Sequence, residues 1–421
     1  MQDSVLIVGG GISGLISAYS CMKQGLKVTL IEKSDRLGGM LQTTQTKFGP
    51  VERAANGLLN SVEIEELLHD LKLNPIQPKP SSKKRYFLIG NKIRQIPISF
   101  FSIIRLIYGF LFINANPMED ESIRNWSIRI FGKEATSNLI EPALGGIYAS
   151  ELKDMDPKMA FSSFLWKNGD SVFTNLKNSR KKPKVKLKNK GTISFSKGIS
   201  ELTGALVESI KNKIKIHTNT EIISLDQLKK DYPDHRIIFC TNLQSTYRIL
   251  NSTENHSHEL RERNIGKIPL LSVSTITCFV KKPLLEKPGF GILFPKNRGI
   301  AANGVLLNDF IFDGRVFDKD IHSETWIYAG EFSDHLTEEA IVDLVKQDRM
   351  KINRSHEEQI VSVYPKVWRQ SFPVYGNELL RFNQYLDEIE KETLPSRSIR
   401  FLGNYRYGIG LKGLIESALK T

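Results

Sequence analysis

Residues 4–8 are apolar at every position after Ser4, the pattern of a short strand buried on both faces inside a parallel sheet. Residues 12–24 continue as a helix that Gly25 ends, and 26–31 alternate into a second strand stopping at Glu32. Residues 62–73 place Ile64, Leu67, Leu68 and Leu71 on one helical face, which reads as a packing helix. Residues 86–98 read as a hairpin turning at Gly90-Asn91. The segment 97–113 is strongly apolar but holds Arg105 and Gly109. A charge at its centre argues against a membrane span, leaving a core helix pair or a surface that dips into one leaflet. Residues 123–144 read as helical, with a sharp loop at Gly145-Gly146.

Further on, 192–207 combine a short turn with an amphipathic helix, while 215–225 and 236–241 read as returning strands. The stretch 265–375 is rich in β-type runs, at 271–280, 304–312 and 324–330, with a helix near 338–352. Phe401-Leu402-Gly403-Asn404 leads through a glycine-rich turn into a last helix over 411–419. No repeat or low-complexity tract appears.

Chemistry enters at the first strand–helix junction. Gly9, Gly11 and Gly14 have the spacing GxGxxG. Gly9 permits the tight turn, Gly11 lets the backbone approach a diphosphate, and Gly14 lets helix and strand pack closely. The helix N-terminus offers free N–H groups and the positive end of its dipole. Glu32, at the end of the second strand, can accept from ribose hydroxyls. Arg36-Leu37-Gly38-Gly39 follows directly. This second glycine pair, with Arg36 able to meet a phosphate, resembles the extension that separates FAD-binding oxidases and reductases from nicotinamide-binding dehydrogenases, so FAD is expected in preference to NAD. Glu52-Arg53-Ala54-Ala55-Asn56-Gly57 is a small-residue turn suited to lie against a flat group.

The 421 residues suggest two to three lobes, and 40% apolar with 25% charged residues excludes a disordered, collagen-like or disulfide-held chain. Three separated cysteines, Cys21, Cys240 and Cys278, form no CxxC motif. The chain opens without a basic leader, so a cytoplasmic setting is expected. The net charge is +13 and 177–190 is densely basic. That favours anionic partners; the basic run reads as a solvated loop or, alternatively, as a contact for an acidic membrane surface, and without interleaved aromatic residues nucleic acid is not expected. The eight histidines do not cluster, apart from His256 and His258 in a surface loop. Neither metal ligation nor a Ser-His-Asp arrangement is expected.

The chain resembles the protoporphyrinogen oxidases, within the flavin-dependent amine oxidase superfamily, along nearly its whole length. The residues that carry this are Val8–Leu15, Glu32 with Arg36–Gly39, Phe131-Gly132-Lys133-Glu134, Glu141–Ala149, Lys197-Gly198-Ile199, Gly289–Pro295, Trp368–Tyr375, Gly408–Leu411 and Ile415-Glu416-Ser417. The resemblance implies a mixed α/β fold. A Rossmann-like FAD domain (1–85, 192–262 and 398–421) would interleave with a β-sheet substrate domain (86–96 and 263–397). A helical membrane-docking lobe would span 97–191.

It also implies that Gly9, Gly10, Gly11, Ile12, Ser13, Gly14, Glu32, Lys33, Arg36, Gly38, Gly39 and Met40 hold the ADP half of FAD. Ala54, Ala55, Asn56 and Gly57 would line the flavin ring, Ile222 the adenine side, Trp368 the ring region, and Ile409, Gly410 and Leu411 the pyrimidine edge. Gly291 and Leu293 would lie over the substrate. The activity implied is six-electron oxidation of protoporphyrinogen IX in haem biosynthesis, with oxygen or another acceptor. Coproporphyrinogen III, an amine or desaturase substrate, and a non-catalytic FAD-binding role are the alternatives; a homodimer stays open. Many family members carry an arginine where Asn56 stands. Asn56 can bond a propionate but not neutralise it, so Arg53 and Arg315 are candidate substitutes.

Overall fold

The computed structural model describes residues 4–90, 92–161, 169–179, 187–296, 299–353, 359–392 and 398–421. Half of the basic run, residues 180–186, lies outside them, as does Asn91 of the hairpin turn.

The first three elements form as the apolar pattern requires: strand Ser4–Val8, helix Ile12–Lys23 and strand Lys27–Ile31. Gly25, at φ +78°, reverses the chain after the helix. The first strand sits inside a five-stranded parallel sheet, between His235–Phe239 and Lys27–Ile31, with Ile399–Phe401 and Lys215–His217 at the two edges. Buried on both faces, its Val5, Leu6 and Ile7 have no exposed surface. One face packs on Leu15, Leu206, Leu414 and Ile415, the other on Leu243, Phe382 and Tyr405.

A second sheet of seven strands runs in the order Ile360–Pro373, Leu270–Val280, His322–Ala329, Gly304–Leu307, Gly291–Leu293, Arg85–Ile89, Lys92–Arg94. Its pairs are antiparallel except Gly291–Leu293 with Arg85–Ile89. Between Leu271 and Val273 the register to the long strand shifts from Phe372 to Trp368. The extra residues form a bulge in which Gln370 takes φ +44° and its N–H donates to Ser272 Oγ at 2.9 Å. Such a bulge re-aims the side chains around it, here Trp368, Ser371 and Phe372.

Five expectations change. Gly145 and Gly146 lie inside the helix Glu141–Tyr148, not in a loop; the turn comes at Ala149, φ +59°. Residues 97–113 make one helix, Phe100–Phe112, not a core pair: Phe100, Phe101 and Phe112 are 70%, 81% and 70% exposed. The run 215–225 is a strand only over Lys215–His217, and a helix capped by the Ser224 side chain begins at Leu225. The run 304–312 is strand to Leu307 and helix over Asn308–Ile311. His256 and His258 lie on a helix, Glu254–Glu262, with His256 half-buried against the Tyr385 hydroxyl at 2.6 Å.

Candidate functional site

At the carboxyl ends of the parallel strands lies a cavity of about 610 Å³. Carboxyl ends are where open α/β sheets bind ligands. The glycine loop forms its floor. Gly9 N–H donates to Ile31 O at 2.8 Å and Cys240 N–H to Val8 O at 2.7 Å, so neighbouring strands pin the turn. Gly9 has φ +107°, and a Cβ on Gly14 would stand 1.8 Å from Gly9 O. Both glycines are therefore demanded by the protein's own backbone. Gly11 is different: a Cβ there would meet nothing within 4 Å. Its missing side chain leaves open cavity, directly before the first helix turn, where unpaired N–H groups favour an anion.

The second glycine pair braces the first. Gly38 N–H donates to Gly10 O at 2.8 Å, and Gly39, at φ +58°, brings its Cβ position to 3.0 Å from Gly11 Cα. Arg36 lines the cavity and donates from Nη2 to Gly39 O at 2.8 Å. Glu32 Oε2 accepts from Gly10 N–H at 2.6 Å, and Oε1 accepts from Ser34 N–H and Oγ–H. This orients the carboxylate at the cavity wall.

The cavity gathers residues from across the chain. Gly9, Gly11, Ile12, Ser13, Glu32, Lys33, Arg36, Gly38, Gly39, Met40, Ala54, Ala55, Ile222, Trp368, Ile409 and Leu411 line it. Gly10, Gly14, Asn56, Gly57 and Gly410 do not. Gly10 and Gly14 pack behind the loop, against Leu37 and Gly9, and a Cβ on Gly57 would stand 2.7 Å from Ile193 O. Asn56 presents its carbonyl to Ser194 Oγ and Arg315 Nη2. Gly291 is buried between strands, its Cβ position 2.1 Å from Val305 O, and Leu293 lines neither this cavity nor its neighbour.

The two candidate arginines are committed elsewhere. Arg315 is 2% exposed; it pairs with Glu52 Oε1 at 3.0 Å and donates to Ser194 Oγ and Asn56 O. Glu52 also accepts from Thr43 Oγ1 and Ile199 N–H. Burial pushes the Glu52 carboxyl up and the Arg315 guanidinium down, and the pair with its hydrogen bonds opposes both shifts. Arg53 donates to Thr44 Oγ1 and Pro365 O. Neither arginine lines this cavity or the chamber that adjoins it.

Residues that no motif marked also line the site. Cys240, Thr241, Asn242, Ser245 and Arg248 follow the strand His235–Phe239, and Arg248 pairs with Glu221 at 2.6 Å. Gly403 and Asn404 come from the closing turn. Position after a parallel strand was the available signal for all of these. Burial pushes the Cys240 thiol up to about 12, so it is neutral packing at ordinary pH.

A larger chamber, about 1010 Å³, adjoins this cavity between the Glu141–Tyr148 helix and the seven-stranded sheet. Its lining includes Glu151, Lys153, Lys267, Lys296, Phe294 and Gln370.

A glycine loop open at Gly11, a braced second glycine pair and a carboxylate at the second strand's end fit a dinucleotide. The cavity continues beyond them to Ala54, Trp368 and Ile409, as a flavin ring requires. Fold and site define an FAD-dependent oxidoreductase. Residues 7–71 match the family described as NAD(P)-binding Rossmann-like domain.

The chain is a relative of the protoporphyrinogen and coproporphyrinogen oxidases. It is 24% identical to protoporphyrinogen oxidase 2, chloroplastic/mitochondrial, of Arabidopsis thaliana, covering 99% of this chain and 92% of that one. It is 30% identical to coproporphyrinogen III oxidase of Staphylococcus aureus (strain NCTC 8325 / PS 47), over 59% of each. Among solved structures, one from Exiguobacterium sp. 255-15, provisionally described as a protoporphyrinogen oxidase, superposes with TM-score 0.77 at 18% identity, covering 100% of this chain and 98% of that one. At that identity the superposition establishes the fold.

Proposed function

We propose that this protein oxidises protoporphyrinogen IX to protoporphyrin IX, with FAD as cofactor and oxygen as the acceptor. The observation that carries the reading is the likeness to a plant protoporphyrinogen oxidase along 99% of the chain. When bound, the flavin supplies two-electron acceptance at its ring. The open backbone at Gly11 and the helix start at Ile12 hold the diphosphate, and Glu32 holds the ribose. Ala54, Ala55, Trp368, Ile409 and Leu411 border the ring end. Trp368 is fixed there by its Nε1–H, which donates to Arg53 O at 2.7 Å. Each round removes two electrons and two protons from the porphyrinogen. Three rounds complete aromatisation and convert three oxygen molecules to three of hydrogen peroxide. Fluorescence after mixing with protoporphyrinogen IX is expected to rise well above the autoxidation blank. Faster turnover of coproporphyrinogen III would favour the second reading, which the 30% identity to the Staphylococcus enzyme motivates. A blank-level signal with both substrates, flavin bound, would overturn both.

The same reading includes docking on the inner face of the cell membrane as a peripheral protein. Among the described residues no helix is long and apolar enough to cross a membrane. The Phe100–Phe112 helix instead shows solvent Phe100, Phe101, Ile104, Ile107, Tyr108 and Phe112. That apolar face, on a chain of net charge +13, suits an anionic bilayer surface. Each phenylalanine taken into lipid contributes about 1.5–3 kcal/mol. Flotation of the triple variant Phe100→Ser, Phe101→Ser, Phe112→Ser with anionic vesicles should therefore fall at least about tenfold. Flotation equal to the parent chain removes the docking proposal.

A further inference from the structure

Three residues border both the cofactor cavity and the adjoining chamber: Gly146, Ala149 and Ala329. No side chain larger than a methyl stands at the join. Crowding does not impose this. A Cβ on Gly146 would lie 3.5 Å from Leu293 Cδ2, and one on Gly145 3.7 Å from Ser150 O, both ordinary contacts. Both glycines are in the helix Glu141–Tyr148, and neither has a positive φ. A glycine inside a helix is about 1 kcal/mol worse than alanine. Neither position is demanded by a positive φ or by a close contact, and at both the missing side chain leaves space.

The join lies at the ring end. Ala329 and Trp368 both pair with Val273, from the strands on either side, so the three residues form one row across the sheet. Ala329 is held there by its N–H, which donates to Asn303 Oδ1 at 2.7 Å; Asn303 lines the chamber. A separate observation points to a ligand in the chamber. Ser150, 6% exposed, lines it, and its buried Oγ has no hydrogen-bond partner in the structure. The outer wall is ionic, with Lys153 and Lys296 both bridged to Glu151 and Lys267 beside them. A ring with apolar faces and a polar rim matches a chamber that is small and apolar at the join and ionic outside.

We infer that Gly146, Ala149 and Ala329 form a window through which the edge of a substrate seated in the chamber reaches the flavin ring, so that clearance at these three positions sets which substrates react. The inference rests on the porphyrinogen reading above. Gly146→Leu and Ala329→Leu narrow the window; Ala329→Val narrows it less. Gly204→Ala is the control, because Gly204 is in the Ser200–Ile210 helix, lines neither cavity and has open space at its Cβ position. Bound FAD, reduction of that FAD by dithionite, and kcat/KM for protoporphyrinogen IX are measured for each.

The two leucine variants are expected to keep FAD and its reduction by the small reagent, while kcat/KM falls at least about tenfold. Ala329→Val should fall between, and Gly204→Ala should match the parent. Leucine variants that hold FAD and oxidise the porphyrinogen at the parental rate overturn the window and leave the porphyrinogen reading standing. Loss of FAD from all three window variants also overturns it, since the positions would then be cofactor packing. A parent protein that holds FAD but oxidises neither porphyrinogen overturns the underlying reading, and the window with it.

Discussion

Gly11→Val is expected to yield a folded protein that no longer retains FAD. A Cβ at residue 11 meets no atom of a neighbouring segment within 4 Å, so the side chain starts out into the open cavity and not into the packed chain. It fills the space where a diphosphate must approach backbone N–H groups, and those groups cannot move because Gly39 and the neighbouring strands pin the loop. The protein should purify colourless, with an unfolding midpoint close to that of the flavin-free parent. FAD titration should show affinity reduced at least about a hundredfold, near 2.7 kcal/mol. Gly14→Ala is the contrast. Its methyl would sit 1.8 Å from Gly9 O, so helix and strand must separate, and both stability and flavin should be lost. A Gly11→Val protein that stays yellow would show that the diphosphate lies elsewhere.

Arg315→Met is expected to cost about 3–5 kcal/mol of stability, read as a lowered denaturant midpoint. The cost arises at Glu52, which is 5% exposed and would lose its charged partner. Burial already pushes this carboxyl up in the parent chain, and losing the guanidinium pushes it further. An acid whose folded pKa is raised is stable in its protonated form. The penalty is therefore small below the unfolded carboxylate value of about 4.3 and grows as pH rises through the raised folded value. The double variant Arg315→Met, Glu52→Gln should recover much of the loss, because a neutral amide can keep hydrogen bonds to Thr43 and Ile199. Equal midpoints for Arg315→Met and the parent between pH 6 and 8 would contradict the assignment.

These two residues differ in how visible they are in the chain. Gly11 announces itself, because a tight turn, an open approach and a helix start are local demands met by neighbouring residues. The same holds for Glu32 at the end of its strand and for Gly38-Gly39. Arg315 does not: it lies 263 positions from Glu52, and its charge alone suggested a substrate contact. Gly145-Gly146 misled in another way. Adjacent glycines usually mark a turn, yet helical neighbours carry them through, and the turn falls on Ala149. The lining at Thr241, Ser245 and Arg248 carries no motif, since it is defined only by following a parallel strand.

Order along the chain thus reveals the nucleotide end, where backbone chemistry over some thirty residues dictates side-chain size. Register and packing alone set Ala329 and Trp368 on either side of Val273, bring Asn404 to the same cavity as the first glycine loop and bury Arg315 against Glu52. Those encounters join residues from about forty to nearly four hundred positions apart. Their energy comes from sheet pairing and desolvation, which no local spacing records.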